Sequence, residues 1–323
     1  MKNTQVIQLM SIVRLSIFML GITMMSCNSK KEQQLPAIGK SVALFDYFSY
    51  KGNDDFYISN PLSGEDYFYN PILPGWYSDP SVCTNGEGDY FLVTSTFTYF
   101  PGVPIFHSKD LVNWKQIGHV LNRASQLVNM EGQKVSGGIF APAISYNPYN
   151  KTYYMVTTNV GAGNFFVKTQ DPFGEWSEPV MLPEVGGIDP SFFFDEDGKA
   201  YIVNNDEAPD NKPEYSGHRT IRIQEFDVKT DKTIGPRKIL VNKGAQPADK
   251  PIWIEGPHLY KINGKYFLMS AEGGTGNWHS EVIFRGDSPM GKFLPWKNNP
   301  ILTQRHLNSD RPNSVTCACL LYT

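Results

Sequence analysis

The chain carries little charge of either sign: 29 Lys and Arg stand against 32 Asp and Glu in 323 residues, a formal net charge of −3. That balance leaves no basic excess for a polyanion, so nucleic acid is excluded as a partner. A charged fraction of 19% is also too low for a disordered or coiled-coil chain. Cysteine is scarce, with only Cys27, Cys83, Cys317 and Cys319 and no CxxC, which excludes a disulfide framework and a structural zinc site. Cys83 reads as a small buried apolar residue. The six His are scattered without HExxH, and no GxSxG occurs. GAGNFF (161–166) lacks the third glycine of a dinucleotide fingerprint, and FDEDGK (194–199) lacks the later Glu of a calcium loop. Helix-period runs are missing after the first 26 residues. What the chain has in quantity is 28 Gly, 23 Pro and 13% aromatic residues. That is the profile of an all-β, turn-rich protein suited to handling sugars.

One apolar run stands at the N-terminus. Lys2 and Arg14 precede LSIFMLGITMM (15–25), a stretch too short to span a bilayer comfortably and of the right length for a signal-peptide core. Ser26 directly before Cys27 resembles a bacterial lipoprotein signal, in which the Cys thiol is lipidated and becomes the mature N-terminus. The polar stretch NSKKEQQ (28–34) then serves as a tether. The expected organisation is a signal peptide over 1–26, an anchor, tether and lead-in over 27–69, and the folded domain over 70–323. The expected location is the bacterial cell envelope, periplasmic or outer-surface, with membrane contact through the lipid alone.

Internal repeats carry the fold. DPSVCTNGEGDYFLVTST (79–96), APAISYNPYNKTYYMVTTN (141–159), DPSFFFDEDGKAYIVNND (189–206) and GPHLYKINGKYFLMSAE (256–272) share one pattern. Each has a residue before Pro, a short apolar run, a turn and a Tyr-led run. The turns contain Asn85-Gly86, Asn147-Pro148, Asp197-Gly198 and Asn263-Gly264, and the distance from Pro to Tyr is nine to eleven residues. Turn residues between such runs are the strongest short-range hairpin signal. A second strand pair with a tight Asp-containing turn follows each hairpin, so each unit supplies about four strands. Successive first prolines lie 62, 48 and 67 residues apart. Four-stranded units at that period predict an all-β propeller, with about four blades present.

In a propeller the first strand of each blade lines the central channel. The residues opening the hairpins, Asp79, Ala141, Asp189 and Glu255, therefore converge on one pocket, and three of the four are carboxylates at the same rank. Asp-Pro is commonly just a turn, and each acid alone would read as a solvated turn residue. Converging carboxylates repel one another, which a structural role does not justify. Glycoside hydrolysis needs such a set: one acid kept protonated for the leaving oxygen, another ionised to activate water or attack carbon, and a third able to hold the first one's pKa high. Trp76, Phe97, Phe140, His258 and His279 are the candidate substrate-binding residues around them, with Tyr77, Tyr99, Phe100, Trp253 and Trp278 adding to the aromatic supply.

These residues resemble glycoside hydrolase family 43. NPILPGWYSDPSV (70–82) is similar to the family's first-blade motif, GGIFAPAISY (137–146) to its second, GIDPSFFFDEDGKAY (187–201) to its third and WIEGPHLYKINGKYFLMSAEGGTG (253–276) to its fourth. The resemblance runs from about residue 70 to about 316. It implies a five-bladed propeller of the β-xylosidase or α-L-arabinofuranosidase type, acting with inversion on arabinoxylan-like polysaccharides. It further implies Asp79 as general base, Glu255 as general acid and Asp189 as the residue that tunes and orients the acid. No cofactor is required, and the intact family fold allows a metal ion on the propeller axis.

Two departures shape the expectation. After DRPN (310–313) the family continues into a fifth blade opened by a Gly-His motif, whereas this chain reads SVTCACLLYT and stops. The sequence is therefore expected to lack its fifth blade, which leaves an inactive remnant or a non-catalytic sugar-binding lipoprotein as the alternative to an enzyme. A fructan-cleaving enzyme of the invertase type would show Asn-Asp-Pro-Asn-Gly, Arg-Asp-Pro and Glu-Cys. Here Ser78-Asp79-Pro80, Ile188-Asp189-Pro190 and Glu255-Gly256 stand instead.

Overall fold

Residues 55–64 and 66–307 are described by a computed structural model. Cys27, Cys317, Cys319, the expected signal peptide over 1–26, the expected anchor and tether segment of 27–69 as far as residue 54, and residues 308–323 lie outside the described residues. The chain divides into two compact units, residues 1–61 and 62–323. The described part of the first holds a single turn of helix, α1 (Asp55–Ser59), with no buried residue. Among the described residues no helix is long and apolar enough to cross a membrane.

The second unit is all-β. Its first sheet is β1 (Ser81–Thr84), β2 (Tyr90–Val93), β3 (Gly102–Ser108) and β4 (Lys115–Leu121). The second is β5 (Ile139–Asn147), β6 (Thr152–Asn159), β7 (Gly163–Thr169) and β8 (Val180–Met181). The third is β9 (Ile188–Phe194), β10 (Ala200–Glu207), β11 (Arg219–Asp227) and β12 (Lys232–Asn242). The fourth is β13 (Glu255–Ile262), β14 (Lys265–Glu272), β15 (Ser280–Gly286) and β16 (Leu294–Pro295), with β17 (Leu302–Thr303) also paired to β15. Each sheet is an antiparallel meander in chain order, and the first strands β1, β5, β9 and β13 neighbour one another in that sequence. This is a four-blade propeller arrangement among the described residues, as the repeats predict.

The middle strands β6 and β10 read as apolar runs because the second and third sheets are covered by neighbours on both faces. One core lies between the first and second blades, with Phe91, Val93 and Ile105 against Ile144, Tyr153 and Met155. A second lies between the second and third, with Tyr154, Val156 and Phe166 against Phe192, Ile202 and Phe226. A third lies between the third and fourth, with Phe193, Tyr201, Val203 and Ile221 against Leu259, Leu268, Val282 and Phe284. Alternation along a strand thus sends Phe192 to one neighbour and Phe193 to the other. Cys83 is buried in the first of these cores.

The hairpin turns follow the sequence signals, with different lengths. Only Asn263-Gly264 is a two-residue turn, both residues having left-handed φ of 51° and 71° as a tight hairpin requires. The Asp197-Gly198 turn carries an interblade anchor: Asp195 is buried and accepts from Lys261 Nζ at 2.8 Å and Tyr266 Oη at 2.5 Å. The inner strands are stitched further by serine hydroxyls. Ser81 Oγ accepts from Ile144 N at 3.1 Å, Ser145 Oγ donates to Phe192 O at 3.0 Å, and Ser191 Oγ donates to Pro257 O at 2.6 Å.

Candidate active site

Each inner strand begins with a bend that the following proline helps to set. The residue before Pro has positive φ in every blade: 53° at Asp79, 32° at Ala141, 53° at Asp189 and 56° at Gly256. Left-handed backbone is costly for a residue with a Cβ, and its recurrence at one position marks a site rather than a defect. This corrects one expectation. Glu255 does not share the rank of Asp79 and Asp189. The residue at their position is Gly256, and Glu255 pairs with Ala271 one step earlier, as Phe140 pairs with Thr158 and Ile188 with Asn205. A bulge follows that pair in blades two, three and four alike, so the difference lies in the sequence, where Glu255-Gly256-Pro257 replaces the Asp-Pro of Asp79 and Asp189. Blade four thus presents its acid from the neighbouring position, and the small residue left behind turns its N–H to Asp189 Oδ2 at 3.1 Å.

The ends of the second strands hold these bends in place. Ser95 Oγ donates to Asp79 Oδ2 at 2.5 Å and accepts from Ala141 N at 2.7 Å, joining blades one and two. Thr158 Oγ1 accepts from Asp189 N at 3.1 Å, and Asn205 Nδ2 donates to Ile254 O at 2.5 Å. Ser95, Thr158, Asn205 and Ala271 occupy one register position. The last has no polar atom to pass on.

The structure brings all the candidate residues together. A cavity of about 660 Å³ is lined by Asp79, Asp189 and Glu255, by Trp76, Phe97 and Phe140, and by His258 and His279. Trp76 stacks on Phe97 with centroids 5.3 Å apart, and Phe140 meets Phe97 edge-on at 5.6 Å. The Phe97 backbone pairs with Ile139 of the next blade through two hydrogen bonds, of 3.0 and 2.9 Å. Gly138 makes this approach feasible, since a Cβ there would lie 2.2 Å from Phe97 O. His258 also lines a second cavity, of about 300 Å³, near the hairpin-turn ends of the inner strands.

Burial dominates the electrostatics. Glu255 is pushed up to about 8, first by desolvation and then by the negative charges of Asp189 and Asp79, with Arg219 opposing. Asp189 is pushed up to about 7 by desolvation and by Asp79, against the Gly256 N–H. Asp79 is raised by desolvation, while the Ser95 hydroxyl and nearby His279 favour its ionised form. The three carboxyls titrate as one coupled group. His258 is driven down to about 4 by burial, so its ring is neutral.

Ser95, Arg219 and Glu281 belong to this neighbourhood without having been singled out from the sequence. Arg219 lies over the Trp253 ring at 4.6 Å and pairs with Glu207. Its position follows a long excursion between β10 and β11 that no repeat aligns. Ser95 had a usable signal, the polar residue that recurs as Thr158 and Asn205 at the ends of the next two second strands. Among the described residues no group of three or more His, Cys, Asp or Glu is arranged to hold a metal ion.

The sequence profile described as glycosyl hydrolases family 43 matches residues 68–317. The chain is 48% identical over 246 residues to a xylosidase/arabinosidase of Butyrivibrio fibrisolvens, covering 75% of this chain and 46% of that protein. It is 40% identical over 254 residues to a non-reducing end alpha-L-arabinofuranosidase of Bacteroides ovatus, covering 76% and 44%. Among solved structures, a GH43_12 protein retrieved from capybara gut metagenome superposes with a TM-score of 0.75 at 56% identity, over 80% of this chain and 48% of that one. The chain spans less than half the length of these relatives.

Proposed function

Because the chain belongs to glycosyl hydrolase family 43, we propose that it hydrolyses xylosidic or arabinofuranosidic bonds of arabinoxylan-type polysaccharides with inversion. Asp79 is the general base, Glu255 the general acid, and Asp189 the residue that keeps the acid protonated. The observation that carries this reading is the convergence of three electrostatically coupled carboxyls in one aromatic-walled cavity, with Glu255 neutral up to about pH 8.

The chemistry follows from the environments. Buried Glu255 keeps its proton at neutral pH and gives it to the glycosidic oxygen as the C–O bond breaks. Asp79, whose ionised form is favoured by the Ser95 hydroxyl, takes a proton from the water that attacks the anomeric carbon. Inversion requires the base and acid carboxyls to stand roughly 6.5–9.5 Å apart so that water fits between. Asp189 accepts the Gly256 N–H beside Glu255, and its negative charge disfavours ionisation of the acid. Trp76, Phe97 and Phe140 offer faces for the sugar ring, and the imidazoles of His258 and His279 offer polar contacts.

The test is turnover of aryl β-xylosides and aryl α-L-arabinofuranosides by the full chain, with the anomer formed first read by NMR. Glu255→Gln is expected to lower kcat about 10²–10⁴-fold on natural glycosides. Absence of turnover with retained sugar binding makes the protein a binding module, and first release of the retained anomer removes Asp79 as base. We also propose that residues 1–26 are a signal peptide and that lipidated Cys27 anchors residues 70–323 in the bacterial envelope through the 27–69 segment. Metabolic labelling with a fatty acid should mark the protein, and Cys27→Ser should abolish the label.

A further inference from the structure

Glu281 is a buried acid with no task in the proposed chemistry. It is 3% exposed on β15, lines the same cavity as Asp79, Asp189 and Glu255, and its carboxyl makes no hydrogen bond or ion pair among the described residues. Burial alone drives its pKa up to about 8, with no charge coupling to the three acids. Glu281 therefore stands apart from the proton-transfer set, and at neutral pH it is a carboxylic acid able both to donate and to accept. Lining the cavity with no protein partner among the described residues, it is available to bond a polar group bound there.

The register explains the room around it. Glu255 pairs with Ala271, and Ala271 pairs with Glu281, so only a methyl group stands between the two glutamates in that cross-strand row. At the same register position the other blades carry Ser95, Thr158 and Asn205, each bonded to the next blade. Two residues before Glu281, His279 Nδ1 must donate to Gly274 O at 2.9 Å, because a carbonyl only accepts. Its other ring nitrogen, Nε2, is buried and has no hydrogen-bond partner among the described residues. Blades one and two thus supply an aromatic wall, and blade four supplies a wall of unfilled hydrogen-bonding groups. A sugar ring, with an apolar face and a rim of hydroxyls, matches both.

Resting on the glycosidase reading above, we propose that Glu281 is a positioning residue that hydrogen-bonds a hydroxyl of the bound sugar and so selects which glycoside is held over the acids. A site built to bond a hydroxyl discriminates strongly against a sugar lacking it.

The experiment compares the full wild-type chain with Glu281→Ala and Glu281→Gln on aryl β-xyloside, aryl α-L-arabinofuranoside and the monodeoxy xylosides. Wild-type turnover is measured first, and its absence would overturn the parent reading whatever the variants do. Glu281→Ala should raise KM for the preferred glycoside about tenfold with kcat changed less than about threefold, the value of one buried hydrogen bond. Glu281→Gln, which keeps a donor and an acceptor, should recover most of that loss. One monodeoxy xyloside should suffer the same tenfold penalty with wild type and no further penalty with Glu281→Ala. Equal penalties for every deoxy sugar in both proteins, or a KM unchanged in Glu281→Ala, would overturn the assignment. If Glu281→Ala does not fold, the wild-type deoxy series decides it: one monodeoxy xyloside alone should carry the tenfold penalty, and equal penalties for all of them would overturn the assignment.

Discussion

At the scale of single residues, the three acids differ less in kind than in what touches them. Glu255 is held protonated by burial and by two negative neighbours, while at Asp79 burial also raises the pKa but a hydroxyl donor and His279 work against it. Two opposite shifts of the pH–rate profile follow. Asp189→Asn removes a negative charge beside Glu255, so the acid ionises earlier and the alkaline limb of kcat/KM should move down by about one pH unit. Ser95→Ala removes the donor that favours ionised Asp79, so the base protonates at higher pH and the acidic limb should move up. Both are read from kcat/KM between pH 4 and 9. An unmoved upper limb in Asp189→Asn would assign that residue to positioning only.

At the scale of elements, the bend before each inner-strand proline decides where its side chains go. The same left-handed residue recurs in four blades, but blade four uses glycine there and moves its carboxylate one residue back. The neighbouring contact between Phe97 and Ile139 depends on Gly138, where a Cβ would collide with backbone rather than a movable side chain. Gly138→Ala adds that collision to a φ of 78° and should cost about 1–3 kcal/mol. Because the Phe97 ring belongs to the cavity wall, KM for aryl xylosides should rise together with the fall in melting temperature. Calorimetry and steady-state kinetics on the purified variant check both halves. A loss of stability with an unchanged KM would remove Phe97 from the substrate-binding wall.

For the molecule as a whole, concentrating buried carboxyls in one cavity has a thermodynamic consequence. Asp189, Glu255 and Glu281 are raised from 3.8, 4.5 and 4.5 to about 7, 8 and 8. A folded-state pKa above the unfolded one gives stability that is fully present below pH 4 and is lost as pH climbs through 7 and 8. The melting temperature should therefore fall between pH 5.5 and 8.5 at constant ionic strength. Glu281→Gln, neutral throughout, should flatten part of that fall. A flat profile for the unaltered chain would mean that these carboxyls are well solvated in the fold.

The repeated runs and their turn residues were enough to establish the all-β class, the hairpins and the four blades, because backbone pairing and alternate burial act over a few residues. Asp79 and Asp189 were legible for the same reason: Asp-Pro at the head of a repeated strand is a local pattern. The offset of Glu255 shows in Glu255-Gly256-Pro257 against Asp-Pro, but its pairing with Ala271 does not, since that depends on the register of two strands. Nor was Glu281 legible, which no repeat marks and which reaches the cavity that His279 also lines only because β15 carries it there. Arg219 reaches the neighbourhood of Glu255 across a long excursion, and Ser95 bonds to a residue 16 positions away and to the next blade. Local preferences could name the acids. Their protonation depends on how much water the packed blades exclude, which only the assembled channel decides.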